Sequence, residues 1–145
     1  MEIRYSATLP GPAEEAFDFV SRPESWPSFF RQMSSAQALE GWGAVGGRAS
    51  MVNRILGQEI VTDLVLLEWD RPRRFGYVGH NRGRRPDTEN HRVFDPVPGG
   101  TRLTGTTTAE ARPGPRGLLD RITFLAARRT FRRAMKRLPA QVAEG

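Results

Sequence analysis

The chain's pattern predicts an α+β fold, a curved seven-stranded antiparallel sheet wrapped around one long C-terminal helix, with two short helices after the first strand. Three observations lead there. One strand-like segment and a short amphipathic stretch come first, and six further strand-like segments punctuated by turn residues follow. A helix-compatible run from Arg116 toward Val142 then closes the chain. A continuous antiparallel sheet of that length must cover one face, and the final helix is the only long element able to do so. The third observation is the segment Val20–Phe30, which packs two prolines, a tryptophan and a Phe-Phe pair into one sharp turn. It holds too much apolar surface for a solvated loop, and we read it as closing the mouth of a cavity.

Residues 2–9 alternate at period two, with Ile3, Tyr5, Ala7 and Leu9 on one face, as a half-buried strand requires. Gly11-Pro12 opens a helix, with Pro12 suited to its first position and Glu14 and Glu15 favoured near its positive end. Ala13, Ala16, Phe17 and Val20 form its apolar stripe, and Pro23 stops it. A second short helix is expected through Trp26–Phe30, limited by Pro27. Strands are expected near 33–39, 47–56, 58–69, 73–80, 87–95 and 101–111, with turns at Gly41–Gly47, Leu56-Gly57, Asp70-Arg71-Pro72, Asn81–Pro86 and Pro96–Gly100. On the last helix Phe124, Ala127, Phe131, Ala134, Met135 and Leu138 share an apolar face. Arg128, Arg129, Arg132, Arg133 and Lys136 fall largely opposite, and Leu118, Leu119 and Ile122 project closer to the basic side.

At 145 residues the chain reads as one domain over residues 1–145, large enough to bury about two-thirds of its unfolded surface. No apolar run is long enough to span a bilayer and no charged-then-apolar leader opens the chain, so a cytoplasmic location is expected. The absence of cysteine excludes disulfides and thiolate metal or redox sites. The net charge of +6 resides in residues 113–145; residues 1–112 carry equal numbers of acidic and basic side chains. The basic helix 116–137 is therefore the surface expected to make a weak contact with an anionic membrane. Nucleic-acid binding is not expected, because few aromatics interleave with the arginines.

Two strands suggest a roomy interior. One face of 101–111 reads Leu103, Gly105, Thr107, Ala109, small residues that leave space. Strand 87–95 carries Asp87, Glu89 and His91 on one face and Thr88, Asn90 and Arg92 on the other, so neither is an ordinary core face. A partly polar pocket accounts for both. Glu89 and His91 point the same way and are candidate acid/base partners inside it. The alternative is a solvated face whose charges pair with Arg82, Arg84 or Arg85. A metal site built from His80, Asp87, Glu89 and His91 lacks a recognised spacing, so no metal is expected. Gly41-x-Gly43-x-x-Gly46 matches a dinucleotide fingerprint formally but precedes a strand rather than a helix, so no cofactor is expected. We read it as a flexible loop with Trp42 at its tip. The single lysine disfavours Schiff-base chemistry.

The element order, with Ser21-Arg22-Pro23-Glu24-Ser25-Trp26-Pro27-Ser28-Phe29-Phe30, resembles the START-like superfamily typified by the birch-pollen allergen. It is especially similar to the bacterial polyketide cyclase/dehydrase and lipid-transport branch. Gly46-Gly47-Arg48, Trp69-Asp70-Arg71-Pro72-Arg73-Arg74-Phe75 and Gly99-Gly100-Thr101-Arg102-Leu103-Thr104 fit the same pattern. The resemblance implies a helix-grip fold enclosing a cavity for a small hydrophobic or aromatic, polyketide- or lipid-like molecule, held for transport, sequestration or protection. It leaves open a cyclase, aromatase or dehydratase acting on a poly-ketone chain, or a peripheral membrane lipid carrier. For such an enzyme, Ser50, Arg54 and Tyr77 are the nearest equivalents of the family's pocket arginine and hydroxyl donors, although Ser50-Met51-Val52-Asn53-Arg54 departs from the Trp-x-Ser-x-Arg order of those cyclases. The candidate catalytic set is thus Glu89, His91, Arg54 and Tyr77. The expected ligand contacts are Trp26, Phe30, Met51, Tyr77, Glu89, His91, Thr107, Phe124, Ala127 and Phe131.

Overall fold

A computed structural model describes residues 1–83 and 85–145; Arg84, named above as an ion-pair candidate, lies outside them. The elements are β1 (Glu2–Leu9), α1 (Ala13–Val20), a 3₁₀ turn (Pro23–Ser28), β2 (Met33–Ala38), β3 (Arg48–Ile55), β4 (Gln58–Asp70), β5 (Arg74–Asn81), β6 (Thr88–Val97), β7 (Gly100–Thr108) and α2 (Pro115–Glu144). All seven strands form one antiparallel sheet in the order β1-β7-β6-β5-β4-β3-β2. The predicted α+β helix-grip architecture is what the chain adopts. Register shifts at Met33/Ser35 and Leu66/Glu68 add the local bends that let so long a sheet curl around α2.

Several boundaries differ from the sequence expectation for local reasons. Pro12 keeps an extended backbone (φ −72°, ψ 159°) and stands just before α1 rather than in its first turn. The second short helix starts earlier, at Pro23, and tightens to 3₁₀ geometry with Pro27 inside it. β6 sits between β7 and β5, an interior strand of the sheet although both its faces carry polar residues.

The core gathers where α1, the 3₁₀ turn and the concave sheet meet. Ala16, Phe17 and Val20 face inward from α1. The Phe17 ring meets Trp69, Phe75 and Phe94 edge-on at 5.0, 5.6 and 5.3 Å, the arrangement aromatic quadrupoles favour. Trp26 is fully buried, and its indole N–H donates to the Val20 carbonyl at 2.7 Å. Ser25 Oγ bonds the Phe19 and Arg22 carbonyls at 2.6 and 2.8 Å. The Val20–Phe30 segment is thus a packed part of the core with its polar atoms satisfied, where we expected the lip of a mouth.

The glycine loop is also better anchored than expected. Gly41, Gly43 and Gly46 take positive φ (75°, 107° and 86°), which permits the tight path. Gly46 N–H and the Gly47 carbonyl bond β4 at Leu66 in both directions, at 2.9 and 2.8 Å. Trp42 turns inward, donates to the Ser21 carbonyl at 2.8 Å and lies edge-on to Trp26.

The helix α2 buries Ala134, Met135 and Leu138 and packs Phe124, Ala127 and Phe131 against the core, matching the predicted apolar face. Its start is fixed by Asp120, only 5% exposed. That carboxylate accepts from the Arg112 backbone N–H at 2.9 Å, from Nε at 3.0 Å and from Nη2 at 2.7 Å. The Arg112 hydrogen bonds hold the Asp120 carboxyl below its usual range, despite burial. A depressed native pKa contributes stability that is present above the unfolded value, about 3.9, and is lost as pH falls through the native one. Asp120→Asn should therefore cost about 1–3 kcal/mol at neutral pH, and the gap to wild type should shrink at about pH 3. Urea denaturation at both pH values measures this, and a pH-independent gap would exclude the assignment.

Candidate functional site

Between the concave sheet and the first half of α2 lies a cavity of about 140 Å³. Period-two alternation positions its walls. β3 contributes Met51, Asn53 and Ile55, and β6 contributes Thr88, Asn90 and Arg92. β7 contributes Thr107, Ala109 follows it, and α2 closes the space with Phe124, Ala127 and Phe131. Arg85 and Pro86 from the β5–β6 connection, Ile55 at the end of β3, Met1 and the Asp120–Thr123 turn of α2 collect at one end of the sheet. At that end, far from the glycine loop, Met1, Ile55, Arg85, Pro86 and Thr123 are half-buried, so the cavity is only partly covered there.

Its polar centre is Arg92, only 3% exposed. Nε donates to the Tyr5 hydroxyl at 3.0 Å and Nη2 to the Tyr77 hydroxyl at 3.1 Å. The guanidinium also lies 5.1 Å from the Trp26 ring centroid, 5.5 Å from Phe75 and Tyr77, and 6.0 Å from Phe30, a set of cation–π contacts inside a dry environment. Burial pushes the Tyr77 hydroxyl up to about 12, against the pull of the neighbouring guanidinium.

Gly105 explains how this cluster forms. In register, Tyr5 on β1 pairs with Gly105 on β7, which pairs with Arg92 on β6. Tyr5 reaches Arg92 only by laying its ring across Gly105, where any Cβ would collide with it. The space implied by small residues on β7 is thus filled by Tyr5 at this level, while Thr107 and Ala109 do open onto the cavity.

The other buried polar groups are largely satisfied. Thr107 Oγ1 donates to Asn90 Oδ1 at 2.6 Å, and Thr62 Oγ1 to Asn81 Oδ1 at 2.6 Å. Among the described residues, the buried side-chain atoms without a protein hydrogen-bond partner are Arg92 Nη1 and Asn53 Oδ1, and both residues line the cavity.

The structure divides the sequence-predicted site residues. Phe30, Met51, Tyr77, Thr107, Phe124, Ala127 and Phe131 line the cavity. Trp26 does not; it is sealed in the core and stacks on Tyr77 at 5.5 Å. Glu89 and His91 do share a face, but it is the convex one. There His91 sits between Glu68 (Nδ1, 3.6 Å) and Glu89 (Nε2, 3.5 Å), and both residues lie outside the cavity wall. Arg54 is exposed and faces Glu59 at 4.0 Å, and Ser50 lies on the same outward side of β3. His80 pairs with Asp87 at 2.9 Å, and no group of three His, Asp or Glu among the described residues could hold a metal ion.

Sequence reasoning missed Arg92 and Tyr5 as a pair, and Asn53. A phase signal for β6 was present: Phe94, fully buried, lies in step with Asn90 and Arg92 rather than with Glu89 and His91.

A family model described as polyketide cyclase/dehydrase and lipid transport matches residues 1–143. No curated protein sequence matches the chain. Among solved structures, protein TTHA0849 from Thermus thermophilus superposes with a TM-score of 0.82 at 22% identity, covering 99% of this chain and 98% of that one. A START superfamily protein from Mycobacterium smegmatis gives 0.74 at 16% identity, with 99% and 97% covered. Ara h 8.0201 gives 0.65 at 14%, with 100% and 99% covered. At these identities the likeness concerns the fold.

Gly105→Ala tests how the cluster is assembled. The added methyl should displace Tyr5 from Arg92 and destabilise the protein by about 1–3 kcal/mol, the usual cost of overpacking. Thermal and urea denaturation measure this, and Tyr5→Leu in the same background should recover part of the loss. An unaffected single variant would contradict the packing described.

Proposed function

Because the chain belongs to the polyketide cyclase/dehydrase and lipid-transport family, we propose that it holds a small hydrophobic or aromatic molecule in the cavity between sheet and α2, for transport, sequestration or protection. The observation that carries this reading is the cavity itself, whose inner surface is mainly apolar, with polar residues, chiefly Thr and Asn, at about as many wall positions as Ile, Met, Phe and Ala. Its volume of about 140 Å³ is close to that of an engineered apolar cavity, about 150 Å³, that accepts benzene. One ring fits inside, and a longer ligand extends through the open end.

The geometry gives less support to a cyclase. Glu89, His91 and Arg54 face away from the cavity, which leaves Tyr77 alone from the candidate catalytic set. Its hydroxyl, with a pKa of about 12, is no base near neutrality.

Filling the cavity is the direct test. Ala127→Phe should fold but bind the neutral fluorescent probe N-phenyl-1-naphthylamine at least tenfold more weakly than wild type, read by fluorescence titration. Glu89→Gln and His91→Ala should bind it unchanged. Equal binding by Ala127→Phe would place the probe elsewhere and remove the reading.

One surface feature favours a lipid-carrying role within this reading. At about 100° per residue, the outward face of α2 has two zones. Leu118, Ile122 and Leu125 occupy the first, at 65%, 50% and 61% exposure; Arg129, Arg132, Arg133 and Lys136 continue the same face. The leucine zone adjoins the end of the sheet where the cavity opens. Apolar side chains that insert and arginines that grip headgroups fit an anionic membrane surface. Phosphatidylglycerol vesicles should co-sediment the protein at low salt and release it at high salt. Leu118→Ser with Leu125→Ser, or Arg129→Glu with Arg133→Glu, should abolish binding while leaving probe uptake intact. Failure to sediment at low salt would end the carrier reading.

A further inference from the structure

Polar side chains, chiefly Thr and Asn, occupy about as many positions on the cavity wall as Ile, Met, Phe and Ala, yet the inner surface is mainly apolar. The hydrogen bonds account for the difference. Thr107 Oγ1 donates to Asn90 Oδ1, its partner directly across the β6–β7 ladder, at 2.6 Å. Asn90 Nδ2 in turn faces Thr88 Oγ1 at 3.4 Å. Thr62 Oγ1 donates to Asn81 Oδ1, again directly across from it, at 2.6 Å, and Asn81 Nδ2 donates to the Pro86 carbonyl at 2.7 Å. On α2 the Thr123 and Thr130 hydroxyls bond back to the Leu119 and Ala127 carbonyls at 3.0 and 2.7 Å, as threonine does within a helix. Arg92 commits Nε and Nη2 to tyrosine hydroxyls. Its Nη1 and Asn53 Oδ1, which lack a protein partner, are buried with almost no accessible surface. Sideways pairing thus spends the polar atoms on one another and leaves mainly carbon facing the cavity.

We infer that the part of the ligand inside the cavity is hydrocarbon, an alkyl, isoprenoid or unsubstituted aromatic body, and that an oxygenated body of the same shape is rejected because the polar groups of the wall are already paired. The inference rests on the cavity being a ligand site and narrows what that site takes. Thr107 with Asn90 and Thr62 with Asn81 are the residues that set the preference. An oxygen carried inside gives up its bonds to water and meets a wall whose Thr and Asn groups are engaged, which weakens binding by roughly tenfold or more. A poly-ketone chain, with an oxygen on every second carbon, meets that penalty repeatedly. A polar head is accommodated at the partly covered end, where half-buried Arg85 donates to the neutral Gln58 amide.

Toluene and phenol, which differ by a methyl against a hydroxyl, test this as competitors that displace N-phenyl-1-naphthylamine, read by fluorescence. The yardsticks are the partition ratios of the same pair from water into octanol, which can hydrogen-bond, and into cyclohexane, which cannot. In wild type the preference for toluene should lie nearer the cyclohexane ratio. Thr107→Val keeps the shape of the wall but frees Asn90 Oδ1, so phenol should gain about fivefold on toluene, the contribution of one net hydrogen bond. Thr62→Val should have the same effect through Asn81. A wild-type preference nearer the octanol ratio would overturn the inference and leave the binding function standing. An unchanged preference in both valine variants would also overturn it, because sideways pairing would then not be what makes the wall apolar. No displacement by either compound would overturn the binding function and the inference together. If Thr107→Val does not fold, the wild-type ratio and Thr62→Val still decide.

Discussion

A single buried cation organises this interior. Arg92 projects from β6 and binds hydroxyls from β1, two places away on one side, and from β5, its neighbour on the other. Trp26 from the 3₁₀ turn and Phe30 beyond it lie over the same guanidinium. The turn and the sheet are therefore joined through one charged group as well as through apolar contact. Tyr5, Gly105 and Arg92 are in lateral register, which makes a glycine on β7 a requirement of a hydrogen bond between β1 and β6.

The cavity follows from the same constraint. A strand that turns Thr88, Asn90 and Arg92 inward cannot be packed like one that offers Leu or Val, because each polar group needs a partner of fixed geometry. Asn90 finds Thr107, and Arg92 finds two tyrosines. Space remains beside them because α2 approaches there with the small Ala127 between Phe124 and Phe131. Below this level α2 buries Ala134, Met135 and Leu138 and the interior is close-packed. The helix thus anchors at one end of the sheet and roofs a cavity at the other.

Much of the architecture was legible in the sequence because it rests on periodicity. The alternation of β1, the stripe of α1 and the inward face of α2 each depend on spacing along one element, and each is found as read. The cavity wall was legible where those stripes continue into it, at Met51, Thr107, Phe124 and Phe131. The failures share a different cause. β6 carries polar residues on both faces, and Phe94, in step with Asn90 and Arg92, is the apolar residue that marks which face turns inward and so puts Glu89 and His91 outside. Gly105 signals space without saying that Tyr5, a hundred residues away in sequence, fills it. Trp26 signals burial, and only the tertiary partners Tyr77 and Arg92 show that it is buried in the core.

The choice of arginine at position 92 argues for function on energetic grounds. Removing a guanidinium from water costs several kcal/mol, and replacing buried charges by apolar side chains of similar volume is often neutral or stabilising. A sheet selected only to fold could carry methionine or leucine at that position, with Tyr5 and Tyr77 replaced by phenylalanine, and lose no packing surface. The chain instead keeps the charge, orients it with two hydroxyls, surrounds it with four rings and leaves Nη1 buried without a protein acceptor. Local instability of this kind is typical of sites held ready for a partner.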